Sequence, residues 1–137
     1  MKNIKYKSEQ ISEFYKTNRM NYSEFFLSER TIIESVLNNS DKKSILDIGC
    51  ACGGLGKALS EKFNISKYTG VDINKEAIEW AKKNNKLTIP YQYIDGDILR
   101  KTVDKADIVF PLSCADWNIE THSIVQKAWE QVNIEGI

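Results

Sequence analysis

Asp47, Asp72 and Asp97 each stand where a short apolar run gives way to a loop, in the stretches SILDIG, YTGVDI and YIDGDIL. A carboxylate at the end of a buried strand can accept hydrogen bonds from the two neighbouring hydroxyls of a ribose, which makes Asp72 a candidate for holding a nucleoside-like group. Its alternative role is to cap the helix that follows, since Asn74 is only two residues on. Directly after Asp47 the chain reads IGCACGGLG, with small or absent side chains at Gly49, Ala51 and Gly53. A ligand can lie against such a main chain, and the helix beyond it can turn its amides toward that ligand. In the register that begins at Gly49, Ala51 occupies the second glycine of the dinucleotide pattern GxGxxG. Asp47 would also repel a diphosphate. Both features count against a nicotinamide dinucleotide, whereas a cofactor with an ammonium group and no phosphate would tolerate Asp47.

The elements that must position these residues follow from hydrophobic spacing. Residues 44–48 have the apolar, β-branched character of a buried parallel strand, and Leu55, Ala58, Leu59 and Phe63 repeat at helical spacing after it. Residues 67–72 predict a second strand. Asn74 then caps a helix whose face is Ala77, Ile78 and Ala81, with Lys82 and Lys83 suiting its C-terminal end. Residues 90–95 fit a third strand, with Pro90 tolerated at its start, and residues 106–110 a fourth. Ile124, Val125, Ala128, Trp129 and Val132 mark a further helix. Before all of these, residues 1–40 read as helical, with apolar clusters at Ile11, Phe14 and Tyr15 and at Tyr22, Phe25, Phe26, Ile32, Ile33, Val36 and Leu37. Those aromatics serve either as core or as a lid over a ligand. Strand alternating with helix calls for an α/β fold, a mostly parallel sheet with right-handed crossovers and helices on both faces. Ligands settle at the C-terminal strand edge of such sheets, where the strand order reverses, and the three aspartates and the residues after Phe110 fall on or near that edge.

With 137 residues the chain predicts one domain, a helical N-terminal cap over about 1–40 and a core over 44–137. Its 19 basic and 19 acidic side chains balance, so no bulk field gathers nucleic acid or an anionic membrane, and neither is expected as a partner. The opening MKNIKYKSEQ lacks the apolar stretch of a secretory signal and no run reaches bilayer length, which predicts a cytoplasmic protein. Cys50, Cys52 and Cys114 do not have zinc-site spacing and read as reduced small residues, with no metal expected.

With these landmarks in place, LDIGCACGGLG resembles the first motif of class I S-adenosylmethionine-dependent methyltransferases, YTGVDINKEAIEWA their second motif, DGDIL their third-strand acid and ADIVFPLS their fourth strand. The departure is Ala51, where that family most often has glycine. The resemblance implies a three-layer Rossmann-like fold with S-adenosyl-L-methionine as cofactor. It implies that Asp47 and the backbone of Gly49, Cys50, Ala51 and Gly53 face the methionine part of the cofactor. Asp72 would take the ribose diol, Ile73 would pack on adenine, and Asp97 with Ile98 would meet the adenine edge, with Pro111 closing the site after the fourth strand. Asp97 also reads as a turn-former after Gly96.

Transfer of a methyl group from a sulfonium needs an aligned acceptor and exclusion of water more than a fixed catalytic group, and no catalytic residue is assigned. The acceptor side is expected in PLSCADWNIETH, where Asp116 and His122 are possible bases and Trp117 a wall, although capping and surface roles suit them as well. An NPPY-like tetrapeptide for amino groups of bases or glutamine, and a Pro-Cys for covalent attack on a pyrimidine, are both missing from PLSC, which favours a small-molecule acceptor. The resembled fold has seven strands and four are counted here, so the expectation is a truncated domain that lacks its C-terminal strands. Its apolar edge is then open to self-association. A non-catalytic cofactor-binding fragment and, less favoured, an NAD(P)-dependent oxidoreductase are the alternatives.

Overall fold

The computed structural model describes residues 9–38, 42–111 and 121–133. The elements in order are helix α1 (Glu9–Thr17), a single 3-10 turn (Tyr22–Glu24), α2 (Leu27–Leu37), β1 (Lys43–Ile48), α3 (Gly54–Lys62), β2 (Ile65–Asp72), α4 (Lys75–Asn84), β3 (Tyr91–Asp95), β4 (Ile108–Phe110) and α5 (Thr121–Glu130). The strands form one sheet in the order β3-β2-β1-β4, every pair parallel. Two crossovers carry the chain outward from β1 to β3, and the third returns it to the other side of β1. The strand order therefore reverses between β1 and β4, the position where open α/β sheets bind ligands.

Alternation along β1 sorts the two layers, because successive side chains leave a strand on opposite faces. Ile45 joins Ile33, Leu37, Leu59, Tyr68, Ile78 and Tyr93 in the larger core beneath α2, α3 and α4. Leu46 and Ile48 join Val71, Ile98, Ile124 and Ala128 beneath α5. This is the expected arrangement of helices on both faces. Asn74 caps α4 by accepting from the Ala77 N–H at 3.1 Å, and Lys82 and Lys83 lie in its last turn, as the spacing predicted.

The N-terminal aromatics differ in burial. Phe25 is buried in the larger core and Tyr22 packs against it, whereas Phe14 and Phe26 are exposed. Ile32 and Val36 on α2, and Val125 and Trp129 on α5, also face outward although helical spacing grouped them with buried neighbours. At the foot of β4, Val132 bridges Ala106 in parallel, so the chain returns from α5 to the outer side of that strand. Cys114, Asp116, Trp117 and residues 134–137 lie outside the described residues. No helix among those described is long and apolar enough to cross a membrane.

Candidate functional site

The tips of β1 and β2 and the loop between β1 and α3 form one hydrogen-bonded unit. Asp72, half-buried at the end of β2, accepts from the Ala51 N–H through Oδ2 at 2.7 Å and from the Asn74 N–H through Oδ1 at 2.7 Å. The Val71 carbonyl accepts from the Gly49 and Cys50 N–H groups at 2.8 and 3.1 Å, and the Gly53 N–H donates to the Cys50 carbonyl at 2.9 Å. The loop amides thus bind the end of the neighbouring strand. Gly53 and Gly49 both have φ of +80°, and Ala51 has φ of +50°, a left-handed conformation that costs an L-residue about 1–2 kcal/mol. Ala51 therefore holds, under strain, a backbone conformation that glycine adopts without this cost.

Several glycines are small because protein packs on them. A methyl group on Gly53 would fall 2.6 Å from the Tyr93 ring and 2.7 Å from the Asn85 amide, one on Gly54 only 1.8 Å from the Arg19 carbonyl, and one on Gly56 2.6 Å from the Tyr68 ring. Asn85 donates to the Cys52 and Gly53 carbonyls at 3.0 and 2.8 Å, and the Tyr93 hydroxyl donates to the Asn85 carbonyl at 2.8 Å. The Cys52 thiol reaches the Ser12 carbonyl of α1 at 3.6 Å. Asn85, Tyr93, Tyr68 and Arg19 thus shape the loop although no motif marks them. Their one sequence signal is position: Asn85 follows the last residue of α4, and both tyrosines lie on strands beside the loop.

Asp47 points into the larger core, 4% exposed, where its Oδ2 accepts from the Tyr68 hydroxyl at 2.5 Å. Burial pushes its pKa up to about 7, against the pull of the Tyr68 hydrogen bond, with the Asp72 charge raising it further and Arg19 lowering it. Burial also raises Asp72, to about 6, while the amides of Asn74 and Ala51 pull it down. Both carboxylates share the C-terminal sheet edge.

Other predicted positions are divided between backbone and side chain. Cys50 is buried against Gly70, so that only its main chain is available at the edge. Ile98 is 3% exposed and packs with Leu46, Ile48 and Val71, which makes its side chain part of the core beneath α5. Ile73 and Pro111 are half-buried at the strand ends. Asp97 accepts from the Leu99 N–H at 3.0 Å and pairs with Arg100 at 2.6 Å, the turn-forming role open to it from sequence. His122 is exposed on the first turn of α5. Among the described residues no group of histidine, cysteine, aspartate and glutamate is arranged to hold a metal.

A family model for a methyltransferase domain matches residues 45–134, beginning in β1 and ending beyond α5. The chain belongs to this methyltransferase-domain family. Its cofactor is S-adenosyl-L-methionine, in agreement with the resemblance drawn from the strand-tip motifs. A malonyl-[acyl-carrier protein] O-methyltransferase of Brevibacillus brevis is 24% identical over 119 residues, 78% of this chain and 43% of the relative. A ubiquinone biosynthesis O-methyltransferase of Coxiella burnetii is 39% identical over 70 residues, 49% of this chain and 29% of the relative. The chain thus spans less than half the length of these curated relatives. Among solved structures, the plantazolicin methyltransferase BamL, in complex with a triazolic desmethylPZN analog and SAH, superposes with a TM-score of 0.62 at 27% identity, covering 74% of this chain and 41% of that one. The [4+2]-cyclase SpnF superposes with a TM-score of 0.63 at 12% identity over 75% of this chain and 39% of its own, a likeness of fold alone.

The residues present fit the family cofactor in their donor and acceptor chemistry. An ionised carboxylate offers about four lone-pair positions, two on each oxygen. Asp72 accepts from the amides of Ala51 and Asn74, with the Ile73 amide also favouring its charge, and such an anionic acceptor at a strand end suits the hydroxyls of a ribose.

Proposed function

We propose that this methyltransferase domain binds S-adenosyl-L-methionine at the tips of β1 and β2 and serves methyl transfer to a small-molecule acceptor. The observation that carries the reading is the Asp72 carboxylate, fixed at the end of β2 by two 2.7 Å amide bonds, one on each oxygen. Bound there, the cofactor supplies a methyl group already activated on a sulfonium.

The chain's own residues then hold and screen. Asp72 takes the ribose diol in charge-assisted hydrogen bonds, Ile73 packs on the adenine ring, and the main chain at Asp97 and Ile98 meets its edge. The backbone from Gly49 to Gly53 runs along the methionine part, and Pro111 bounds the site at the end of β4. Asp47 lies beneath the loop with its carboxyl engaged by the Tyr68 hydroxyl. Balanced charge supports an acceptor other than nucleic acid. No residue is assigned as a catalytic base.

Isothermal titration tests the reading. S-adenosylhomocysteine should bind and NAD should not, and the reverse result would overturn it in favour of a dinucleotide enzyme. Binding of S-adenosylhomocysteine without methyl transfer to any of a broad acceptor panel would make the chain a cofactor-binding domain only.

A further inference from the structure

The loop between β1 and α3 is held at its two ends by different parts of the chain. Its near end belongs to the strand tips, where the Gly49 and Cys50 amides donate to the Val71 carbonyl and the Ala51 amide to Asp72. Its far end is reached by one side chain from the end of α4. Asn85, 3% exposed, donates through Nδ2 to the Cys52 carbonyl at 3.0 Å and to the Gly53 carbonyl at 2.8 Å. Two carbonyl partners require the donor end of the amide, so its orientation is fixed. The Cys52 thiol adds only a weak sulfur contact to the Ser12 carbonyl at 3.6 Å. Gly53 is also the residue from which α3 departs, with φ of +80°, so the bond to its carbonyl sets where the first turn of that helix begins.

Asn85 is itself anchored through both of its backbone groups. Its N–H donates to the Ala81 carbonyl at 2.8 Å as α4 ends, and its carbonyl accepts from the Tyr93 hydroxyl at 2.8 Å. The Tyr93 ring meets that of Tyr68 edge-on with 6.1 Å between centres, and the Tyr68 hydroxyl donates in turn to Asp47. A methyl group on Gly53 would stand 2.6 Å from the Tyr93 ring and 2.7 Å from the Asn85 amide. Protein therefore fills the space behind this end of the loop, and the loop cannot withdraw into it.

We infer that Asn85 is a positioning residue for the methionine half of the cofactor. By holding the Cys52 and Gly53 carbonyls it fixes the far part of the loop along which that half lies, and it leaves the adenosine half to Asp72. This rests on the cofactor reading above. Asp72 is tied to the loop only through the Ala51 amide, on the near side of the residues that Asn85 holds, so the two halves depend on separate anchors. The amino-acid part carries an ammonium and a carboxylate, which a main chain satisfies well only when its dihedral angles are set before binding. Asn85 acts through the loop without touching the ligand, because its amide is spent on the two carbonyls.

The test compares two probes on the full chain by calorimetry: S-adenosylhomocysteine, and 5′-methylthioadenosine, which has the adenosine and the sulfur but no amino-acid part. Asn85→Ala should weaken S-adenosylhomocysteine about ten-fold through the lost anchor, and change 5′-methylthioadenosine by less than about two-fold. Tyr93→Phe, which removes only the bond to the Asn85 carbonyl, should show the same split at about three-fold. A merely structural role would weaken both probes alike. Equal losses for the two, or no loss for S-adenosylhomocysteine, would overturn the inference. So would an unaltered chain that binds S-adenosylhomocysteine and gives no heat with 5′-methylthioadenosine, because the adenosine half would then have no anchor of its own. If Asn85→Ala does not fold, Tyr93→Phe decides on the same criteria. Failure of the unaltered chain to bind either probe would remove the cofactor reading and the role of Asn85 with it, whereas normal binding of both with equal losses in the variants removes that role alone.

Discussion

The tips of β1 and β2 carry the same side chain in neighbouring positions and treat it in opposite ways. Asp47 turns into the core and meets a phenol, 4% exposed. Asp72 stays at the edge and meets two backbone amides. A phenol supplies one weak-acid donor in surroundings that disfavour charge, whereas two amides in the loop and helix start supply fixed dipoles that favour it. The carboxylate at the edge is thereby set up to accept more bonds, and the buried one to organise the strand beneath the loop. Acid type and position in the motif did not distinguish the two roles; the direction of each side chain from its strand did.

The largest effect expected from breaking this contrast is on cofactor affinity. Asp72→Ala removes both the anchor of the Ala51 amide and the acceptor for a ribose diol, and should weaken S-adenosylhomocysteine binding by roughly 1–3 kcal/mol. Calorimetry reads this directly. Unchanged affinity would take Asp72 out of the ribose role. Affinity of the unaltered chain should also rise between pH 5 and pH 8, since Asp72, raised to about 6, accepts hydroxyls best when ionised. A flat profile would mean that the diol is held elsewhere.

Asp47 should dominate stability instead. Its folded value of about 7 lies above the ordinary 3.8, so its favourable contribution is complete below about pH 4 and is lost as pH rises through 7, where an ionised carboxyl must remain buried. Asp47→Asn keeps an acceptor for the Tyr68 hydroxyl and has no charge to bury. Relative to the unaltered chain, the variant should gain stability from pH 5 to pH 8 by an amount on the order of 2 kcal/mol. Urea denaturation at the two values measures this, and an equal offset at both would show that Asp47 is already ionised within the fold.

Much of the architecture follows from local pattern. The strands at β1 and β2, the Asn74 cap, the lysines ending α4 and the parallel order all obey rules that operate over a few residues. The family resemblance likewise rests on short stretches, and the matched region confirms it. What short stretches could not reveal is how distant residues share the loop. Gly53 read as room for a ligand, yet Tyr93 and Asn85 press against it, and Arg19 and Tyr68 press likewise against Gly54 and Gly56. Ile98 stood with Asp97 at the adenine edge through the family resemblance alone, and its side chain packs into the core beneath α5. The exposure of Phe26 beside the buried Phe25 was illegible for the same reason: the break before α2 sets their directions, and helical spacing does not extend across it.

The smallest effect concerns Ala51, the one departure from the family's first motif. Its φ of +50° carries a steric cost that glycine would not have, while glycine raises the backbone entropy of the unfolded chain and gives back part of the gain. Ala51→Gly should therefore stabilise the domain by about 0.5–1 kcal/mol at the urea midpoint. The bond to Asp72 comes from the backbone N–H of residue 51, which glycine retains, so cofactor affinity should change by less than about two-fold, below the scatter at which distant effects add. A marked gain in affinity would show that the Ala51 methyl obstructs the ligand. A loss of stability would show that the loop in solution does not adopt the left-handed turn on which the Asp72 anchor depends.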